Sequence, residues 1–457
     1  MTGMDNGALG ADLEPLVIDD RERRLFRVSR RAMVDPAVFA LERERIFEKT
    51  WLYLGHESEV PHAGDFLTRT LIERPLLICR GSDGKVRVLV NACPHRGNVV
   101  CRQARGNAKT FQCFYHFWTF KNTGQLNSIP DAGAYAASLD RSELGLKEVP
   151  RTANYKGFIF ISFNPDVPDI ETHLAGARPY LDAVADQGEH GMEVLPGSQL
   201  YSMRANWKLL PENTIDFYHT PKVHTTYFAF LRAQGMDVTS PLVGRGYDLG
   251  NGHAVVEYRA SWGRPIARWE PRFGEGAKPE LAEVRARLVD RYGEQRAHIM
   301  ADTDRNLFIF PNLLINDIMA IVLRWINPIS ESYMEVTQWA LAPVGETPEA
   351  RARRLESFLT FLGPGGFSTP DDNEALEGCQ RGYGAWRESG WSDLSRGYAL
   401  ELDGRGEELK CDDEVQLRAF YRHWAHLVGG ASAVASTSAR AEATSANLQG
   451  VEVVVVR

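Results

Sequence analysis

The chain has 457 residues, 44% of them hydrophobic, with 60 acidic against 52 basic side chains and a formal net charge of −8. That length predicts two or three domain-sized units with room for substantial cores. The negative balance gives no footing for nucleic acid or an anionic membrane surface, and no apolar run approaches the roughly 18 residues that a membrane helix needs.

The opening residues, with Asp5, Asp12 and Glu14, lack a basic-then-apolar export pattern, so a cytoplasmic location is expected. There, thiolate ligation of a metal is more plausible than disulfides. Residues 45–164 are rich in extended runs, from Phe66 to Thr70, Leu76 to Cys79, Val86 to Val90, Thr110 to Phe114 and Gly157 to Phe163. A small all-β domain is predicted. Two loops at strand ends stand out within it: Cys93-Pro94-His95-Arg96-Gly97 and Cys113-Phe114-Tyr115-His116. Each pairs one thiol with one imidazole. Zinc sites usually pair like with like, whereas a Rieske [2Fe–2S] centre needs two Cys on one iron and two His on the other. A structural zinc site, which would leave the protein colourless, is the competing reading. Phe114, Tyr115, Phe117, Trp118 and Phe120 are expected to shield the cluster from water. Cys79, Cys101, Cys379 and Cys411 read as buried small hydrophobes.

A turn-rich boundary, Asn164-Pro165-Asp166-Val167-Pro168, ends this part of the chain. Helices are then predicted at about 207–220, 278–300, 347–362, 372–383 and 412–428. Extended runs lie between them, from His253 to Tyr258, Leu307 to Phe310, Ile318 to Trp325 and Glu335 to Leu341. The fold class is therefore α+β, an antiparallel sheet with helices packed against it. The helix starting near Trp207 carries Asp216 and His219, and His224 lies just after it. Two His and one carboxylate can hold a non-haem Fe(II) on one face and leave other positions open. Asp216 and His219 would share a helical face, with Asp216 orienting the imidazole. Pro221 should break the helix and let His224 swing towards the same metal. Ordinary polar residues on an amphipathic helix are the plain alternative. For a third ligand the best candidate is Asp372, in Thr369-Pro370-Asp371-Asp372. Thr369, Pro370 and Asp372 equally suit an N-cap, first-turn and dipole-favoured arrangement. No G-x-G-x-x-G unit is present, so neither NADH nor flavin is expected on this chain. The Ala/Ser/Thr-rich stretch from Gly429 to Gly450 reads as a mobile tail, and Val451 to Arg457 as an edge strand with no identifiable partner.

At these residues the chain resembles the large (alpha) subunit of Rieske non-haem iron aromatic-ring-hydroxylating dioxygenases. The likeness covers Phe47-x3-Trp51-x-Tyr53, both Cys/His pairs, Asn206-Trp207-Lys208 through His224, and Thr369 to Asp372. Ala342 to Arg351, Cys379-Gln380 and Trp391-x-Asp393-x-Ser395-Arg396-Gly397 are most similar to the branch acting on benzoate, toluate, anthranilate and p-cumate.

The resemblance implies that Cys93, His95, Cys113 and His116 bind a Rieske [2Fe–2S] cluster, and that His219, His224 and Asp372 bind mononuclear Fe(II). It makes Asp216 the carboxylate linking His219 to His116 of a neighbouring subunit. A helix-grip catalytic domain is implied over 165–428, with 1–44 packing on it, a Rieske domain over 45–164 and a flexible tail over 429–457. The implied activity is O2-dependent cis-dihydroxylation of an aromatic ring, with a Rieske monooxygenase or demethylase as the alternative. A pure electron carrier would lack the second iron site. Implied partners are a small beta subunit in an α3β3 assembly or an α3 trimer, and an NADH-dependent flavin/iron–sulfur reductase, with or without a ferredoxin. The exact substrate stays open, and no single Arg stands out as a carboxylate anchor.

Overall fold

The computed structural model describes residues 15–136, 138–238, 243–260 and 267–429, with the backbone of 452–454. The chain separates into two compact units, Phe47–Ile170 and Met1–Ile46 together with Glu171–Arg457.

The unit Phe47–Ile170 consists of three antiparallel sheets. One joins Val86–Val90, Arg74–Arg80, Asp65–Leu71 and Arg105–Asn107; a second joins Leu126–Ser128, Thr119–Lys121 and Thr110–Gln112; a third joins Arg151–Tyr155, Phe158–Ser162 and Leu52–His56. Leu76, Leu77, Ile78 and Cys79 are buried in succession because both faces of their strand are covered. Phe66, Leu77, Leu89, Phe111 and Phe120 form one core, and Cys93 and Cys113 belong to it. The strand expected to reach Phe114 stops at Gln112, since Cys113 already begins a turn.

The larger unit is built on an eight-stranded antiparallel sheet. Its strands run in the order Met192–Val194, Tyr333–Pro343, Ile321–Ser330, Leu313–Asp317, Asp304–Ile309, Ala254–Arg259, Val243–Asp248, with Gln199–Met203 also paired to Tyr333–Pro343. Helix Val415–Gly429 lies against strands Val243–Asp248 and Ala254–Arg259. Its Phe420 meets Phe308 edge-on at 5.2 Å. The helix predicted at 278–300 is two helices, Lys278–Tyr292 and Glu294–Ala301. They divide at Gly293, whose φ of 78° no continuing α-helix accepts. The backbone of Glu452–Val454 pairs antiparallel with Val17–Asp19, giving the edge strand its partner. Of the stretch expected to be a mobile tail, residues 430–450 lie outside the described residues.

The segment that leads into His219 is anchored deep in this unit. Glu42, at the end of helix Pro36–Glu42, accepts from Lys208 Nζ at 2.5 Å, Trp207 Nε1 at 2.9 Å and Trp424 Nε1 at 2.7 Å, and is fully buried. Asn206 Nδ2 donates to the Glu331 carbonyl at 2.7 Å, while the Asn206 N–H donates to Gln380 Oε1 at 2.9 Å. These contacts tie together five stretches of chain that are distant in sequence.

Candidate metal centres

The two Cys/His loops share one backbone design. In the first, Gly97 N donates to the Cys93 carbonyl at 2.7 Å, and Cys93 N donates to the Asn98 carbonyl at 2.8 Å. In the second, Phe117 N donates to the Cys113 carbonyl at 2.9 Å, and Cys113 N donates to the Trp118 carbonyl at 2.8 Å. Gly97 and Phe117 hold the same turn position with φ of 74° and 57°. Glycine accepts that conformation freely; Phe117 adopts it at a cost, as residues beside functional sites often do. Both turns aim the Cys side chains into the core and leave His95 and His116 facing each other, ring centroids 4.5 Å apart. His95 also stacks on Trp118 at 5.0 Å and 4°. Asn91 braces the first loop by donating to the Cys101 carbonyl and accepting from Cys101 N, both at 2.8 Å.

Burial, with the neighbouring Cys113 sulfur, pushes the Cys93 thiol above its ordinary range. Desolvation and the neighbouring His95 and Arg96 push His116 below its own, favouring neutral imidazole. Two buried thiols under two opposed imidazoles fit the ligand set of a Rieske cluster. The expected shielding needs correction. Trp118 and Phe120 are buried, but Phe114, Tyr115 and Phe117 are exposed by 61%, 52% and 56%. The reason is positional: Phe114 and Tyr115 lie between two ligands on the outer side of the turn, whereas Phe120 sits on the inward face of strand Thr119–Lys121.

The second site assembles around two breaks in helical structure. The helix expected over 207–220 is only Leu209–Thr214, followed by a non-helical stretch and the short helices Thr220–Val223 and Thr225–Ala233. Asp216 causes the interruption locally, its Oδ1 accepting from Tyr218 N at 3.0 Å and competing with the helical ladder. Asp216 Oδ2 lies 3.4 Å from His219 Nδ1, so the pair meets across a turn rather than along a helical face. Pro221 does not break a helix. It sits in the first turn of Thr220–Val223, where its missing N–H costs nothing. His224 follows at φ −93° and ψ 41°, between two helices.

The carboxylate comes from helix Thr369–Tyr383. Ser368 occupies the N-cap position without making a side-chain cap, and Thr369 Oγ1 donates to the Leu362 carbonyl at 2.8 Å. Asp372 therefore turns away from capping. Its Oδ1 lies 3.2 Å from His224 Nε2 and 3.6 Å from His219 Nε2. One ligand atom from each of these three residues falls within 4.8 Å of the others.

Features that sequence reasoning missed complete the arrangement. Asp371 Oδ2 stands 3.5 Å from His224 Nδ1, mirroring Asp216 at His219. With both Nδ1 atoms near carboxylates, both Nε2 atoms are turned to the Asp372 side, the orientation a metal requires. Asn213 Nδ2 donates to Asp372 Oδ1 at 3.1 Å, and Ser368 Oγ donates to Asp372 Oδ2 at 3.1 Å. Burial tends to raise the Asp372 carboxyl, but His224, His219 and Arg324 outweigh it and hold the group below its usual range. The donor set fits Fe(II). Around it lies a pocket walled by Phe217, Tyr227, Tyr258, Ile318, Met319 and Phe361.

Comparison with known proteins bears on both sites. Residues 50–150 match the Rieske [2Fe-2S] domain, and residues 181–430 match the ring hydroxylating alpha subunit catalytic domain. The chain belongs to the ring-hydroxylating alpha subunits. It is 38% identical over 418 residues to the toluate 1,2-dioxygenase subunit alpha of Pseudomonas putida, covering 88% of each chain. It is also 38% identical over 401 residues to the 2-halobenzoate 1,2-dioxygenase large subunit of Burkholderia cepacia, covering 84% of this chain and 83% of that one. Naphthalene 1,2-dioxygenase from Rhodococcus sp., solved with indole bound, superposes with a TM-score of 0.76 at 30% identity, over 88% of this chain and 94% of that one. This alpha subunit is thus an oxygen-incorporating oxidoreductase component with a Rieske [2Fe–2S] cluster and a mononuclear iron, served by a partner reductase or ferredoxin. The zinc-site and pure-carrier alternatives fall with that assignment. Among the described residues no helix is long and apolar enough to cross a membrane.

Proposed function

We propose that this chain is the terminal oxygenase subunit for cis-dihydroxylation of a benzoate-like aromatic carboxylate. The observation that carries the reading is the convergence of His219, His224 and Asp372 at an aromatic-walled pocket. The relatives named for toluate and 2-halobenzoate support the substrate class. Cys93, His95, Cys113 and His116 hold the cluster in this reading, and His219, His224 and Asp372 hold the iron. When bound, that iron supplies an open coordination centre for activating dioxygen.

The protein's own part is to position and to exclude. Asp216 and Asp371 hold the two imidazoles in their metal-facing tautomer, while Asn213 and Ser368 keep the Asp372 carboxylate oriented. Phe217, Tyr227 and Phe361 provide an aromatic enclosure for a ring and keep bulk water from it. The exposed Phe114, Tyr115 and Phe117 beside the cluster loops suit burial against another subunit, in keeping with an α3β3 or α3 assembly in which Asp216 links His219 to a neighbour's His116. Residues 45–164 and 165–428 are taken as the cluster-bearing and catalytic domains of a cytoplasmic enzyme, whose reductase is NADH-dependent.

Turnover of a benzoate panel under labelled O2, with a surrogate reductase, tests the reading. Both atoms of one O2 are expected in a cis-diol carboxylate. A single labelled atom in the product would make the enzyme a monooxygenase.

A further inference from the structure

The wall of the pocket holds one cationic side chain whose environment differs from that of every comparable residue. Arg305, Arg324, Arg354 and Arg418 are the buried arginines among the described residues. Arg305 pairs with Asp317 at 2.6 Å, Arg354 with Glu346 at 3.0 Å, and Arg418 with Glu401 at 2.7 Å. Arg324, only 2% exposed, makes no hydrogen bond or ion pair among the described residues, and its buried Nε has no acceptor. A guanidinium withdrawn from water without hydrogen-bond acceptors is strongly disfavoured unless something else supplies them, and here its charge is felt by the Asp372 carboxylate without a close ion pair.

The sheet register places Arg324 with other polar groups. It lies on strand Ile321–Ser330 opposite Leu314 and Gln338. Asn306 and Asn316, which pair with each other, stand on the same face of the sheet and also line the pocket. Asn316 Nδ2 donates to Asn306 Oδ1 at 2.8 Å, and Asn316 Oδ1 is buried without a donor among the described residues. Tyr201 shares that face through the pairing of its strand with Tyr333–Pro343, and its buried hydroxyl also lacks a partner among the described residues. Arg324, Asn306 and Asn316 make one polar corner of the pocket wall, centred on a positive charge and contributed by the sheet rather than by the segments that carry the metal-binding residues.

We propose that Arg324 is the carboxylate anchor, receiving the substrate's carboxylate in a two-point hydrogen-bonded pair while Phe217, Tyr227 and Phe361 enclose the ring. The planar fork of donors matches a carboxylate's two oxygens in a way an ammonium does not. Placing the anchor on a central strand fixes one end of the ring, so the edge offered to the metal-binding residues is set by the sheet. The anchor therefore governs both which arenes are accepted and which ring positions react. This assignment rests on the proposed oxygenase reading. The competing role for Arg324 is purely local, lowering the Asp372 carboxyl by its charge.

Arg324→Gln and Arg324→Lys separate the two roles. Holoenzyme is assayed with surrogate reductase on benzoate and on its neutral isostere benzamide, with iron content and the [2Fe–2S] spectrum recorded. Arg324→Gln is expected to raise KM for benzoate about 100-fold, to leave turnover of benzamide equal or better, and to retain both iron centres. Arg324→Lys should recover part of the benzoate affinity with altered regiochemistry. Unchanged benzoate KM in Arg324→Gln overturns the anchor, as does equal loss of both substrates or loss of the mononuclear iron. Should the wild type oxidise neutral arenes and no benzoate, the carboxylate reading itself fails, independently of what the variants do.

Discussion

Replacing Glu42 with Gln perturbs the buried ion pair that fastens the start of the His219 segment to helix Pro36–Glu42. Glu42 and Lys208 are both fully buried and 2.5 Å apart, and the same carboxylate accepts from the indoles of Trp207 and Trp424. Gln keeps the shape but removes the negative charge, and its NH2 group replaces one of the two oxygens that accept from these three donors. An ammonium left buried without its partner costs about 3–5 kcal/mol. At about 2 °C per kcal/mol for a domain of this size, melting should fall by roughly 6–10 °C. Removing both charges in Glu42→Gln/Lys208→Met should recover more than half of that loss, because the penalty belongs to the orphaned charge and not to the missing attraction.

The pH dependence has a definite sign. Burial lowers the Lys208 ammonium from its usual range even in the wild type, against the raising effect of Glu42. Without Glu42 the lowering deepens. The variant's deficit should then shrink as pH rises, because stability tied to a depressed ammonium is present above its unfolded value and is lost as pH falls through the folded one. Denaturation of wild type, Glu42→Gln, Lys208→Met and the double variant at pH 7 and 9 is the assay. A Glu42→Gln protein within about 1 kcal/mol of wild type, or strictly additive single variants, would refute the reasoning.

Asp372→Ala should lose the mononuclear iron and keep the Rieske spectrum; a variant with full iron and activity would return Asp372 to a helix-start role. Asp371→Ala should weaken iron binding about 10-fold, the low end for a carboxylate behind a ligand His, because Asp371 is partly solvated. Titration with Fe(II) measures this, and unchanged affinity removes Asp371 from the site. Asp216→Ala should retain both iron centres and lose turnover, and wild-type product formation in a single turnover would contradict the linking role. Burial lowers His253 to about 4, and its Nδ1 accepts from Phe310 N at 2.9 Å, which protonation forbids. Stability present above about pH 6.5 should therefore fall as pH drops towards 4, by up to roughly 3 kcal/mol. His253→Gln should flatten that acid limb, and an unchanged slope would show that other groups carry it.

The residue types proposed to ligate iron were legible in the sequence, because thiolate and imidazole chemistry admits few substitutes and the two Cys/His loops are local. Strand Val86–Val90 and the antiparallel α+β class were legible for a similar reason: their hydrophobic patterns repeat within a few residues. The His219 segment misled where two local tendencies competed. Helical propensity runs through residues 207–220, and the Asp216 side chain offers its own acceptor to Tyr218 N and ends the helix early. Gly293 was equally readable as a tolerated mid-helix glycine until its φ of 78° was known.

What the sequence alone determined is the donor chemistry: which side chains can bind iron, and in what short-range groups. Only the tertiary structure decided that Asp372 faces the two imidazoles rather than its own helix end, that Asp371 stands behind His224, and that Arg324, alone among the buried arginines of the described residues, meets no hydrogen-bond acceptor there. Asn213 and Asp372 hydrogen-bond across 159 positions of sequence. Contacts of that kind follow from strand register and helix docking, which depend on burying the whole sheet at once and leave no short-range pattern in the chain.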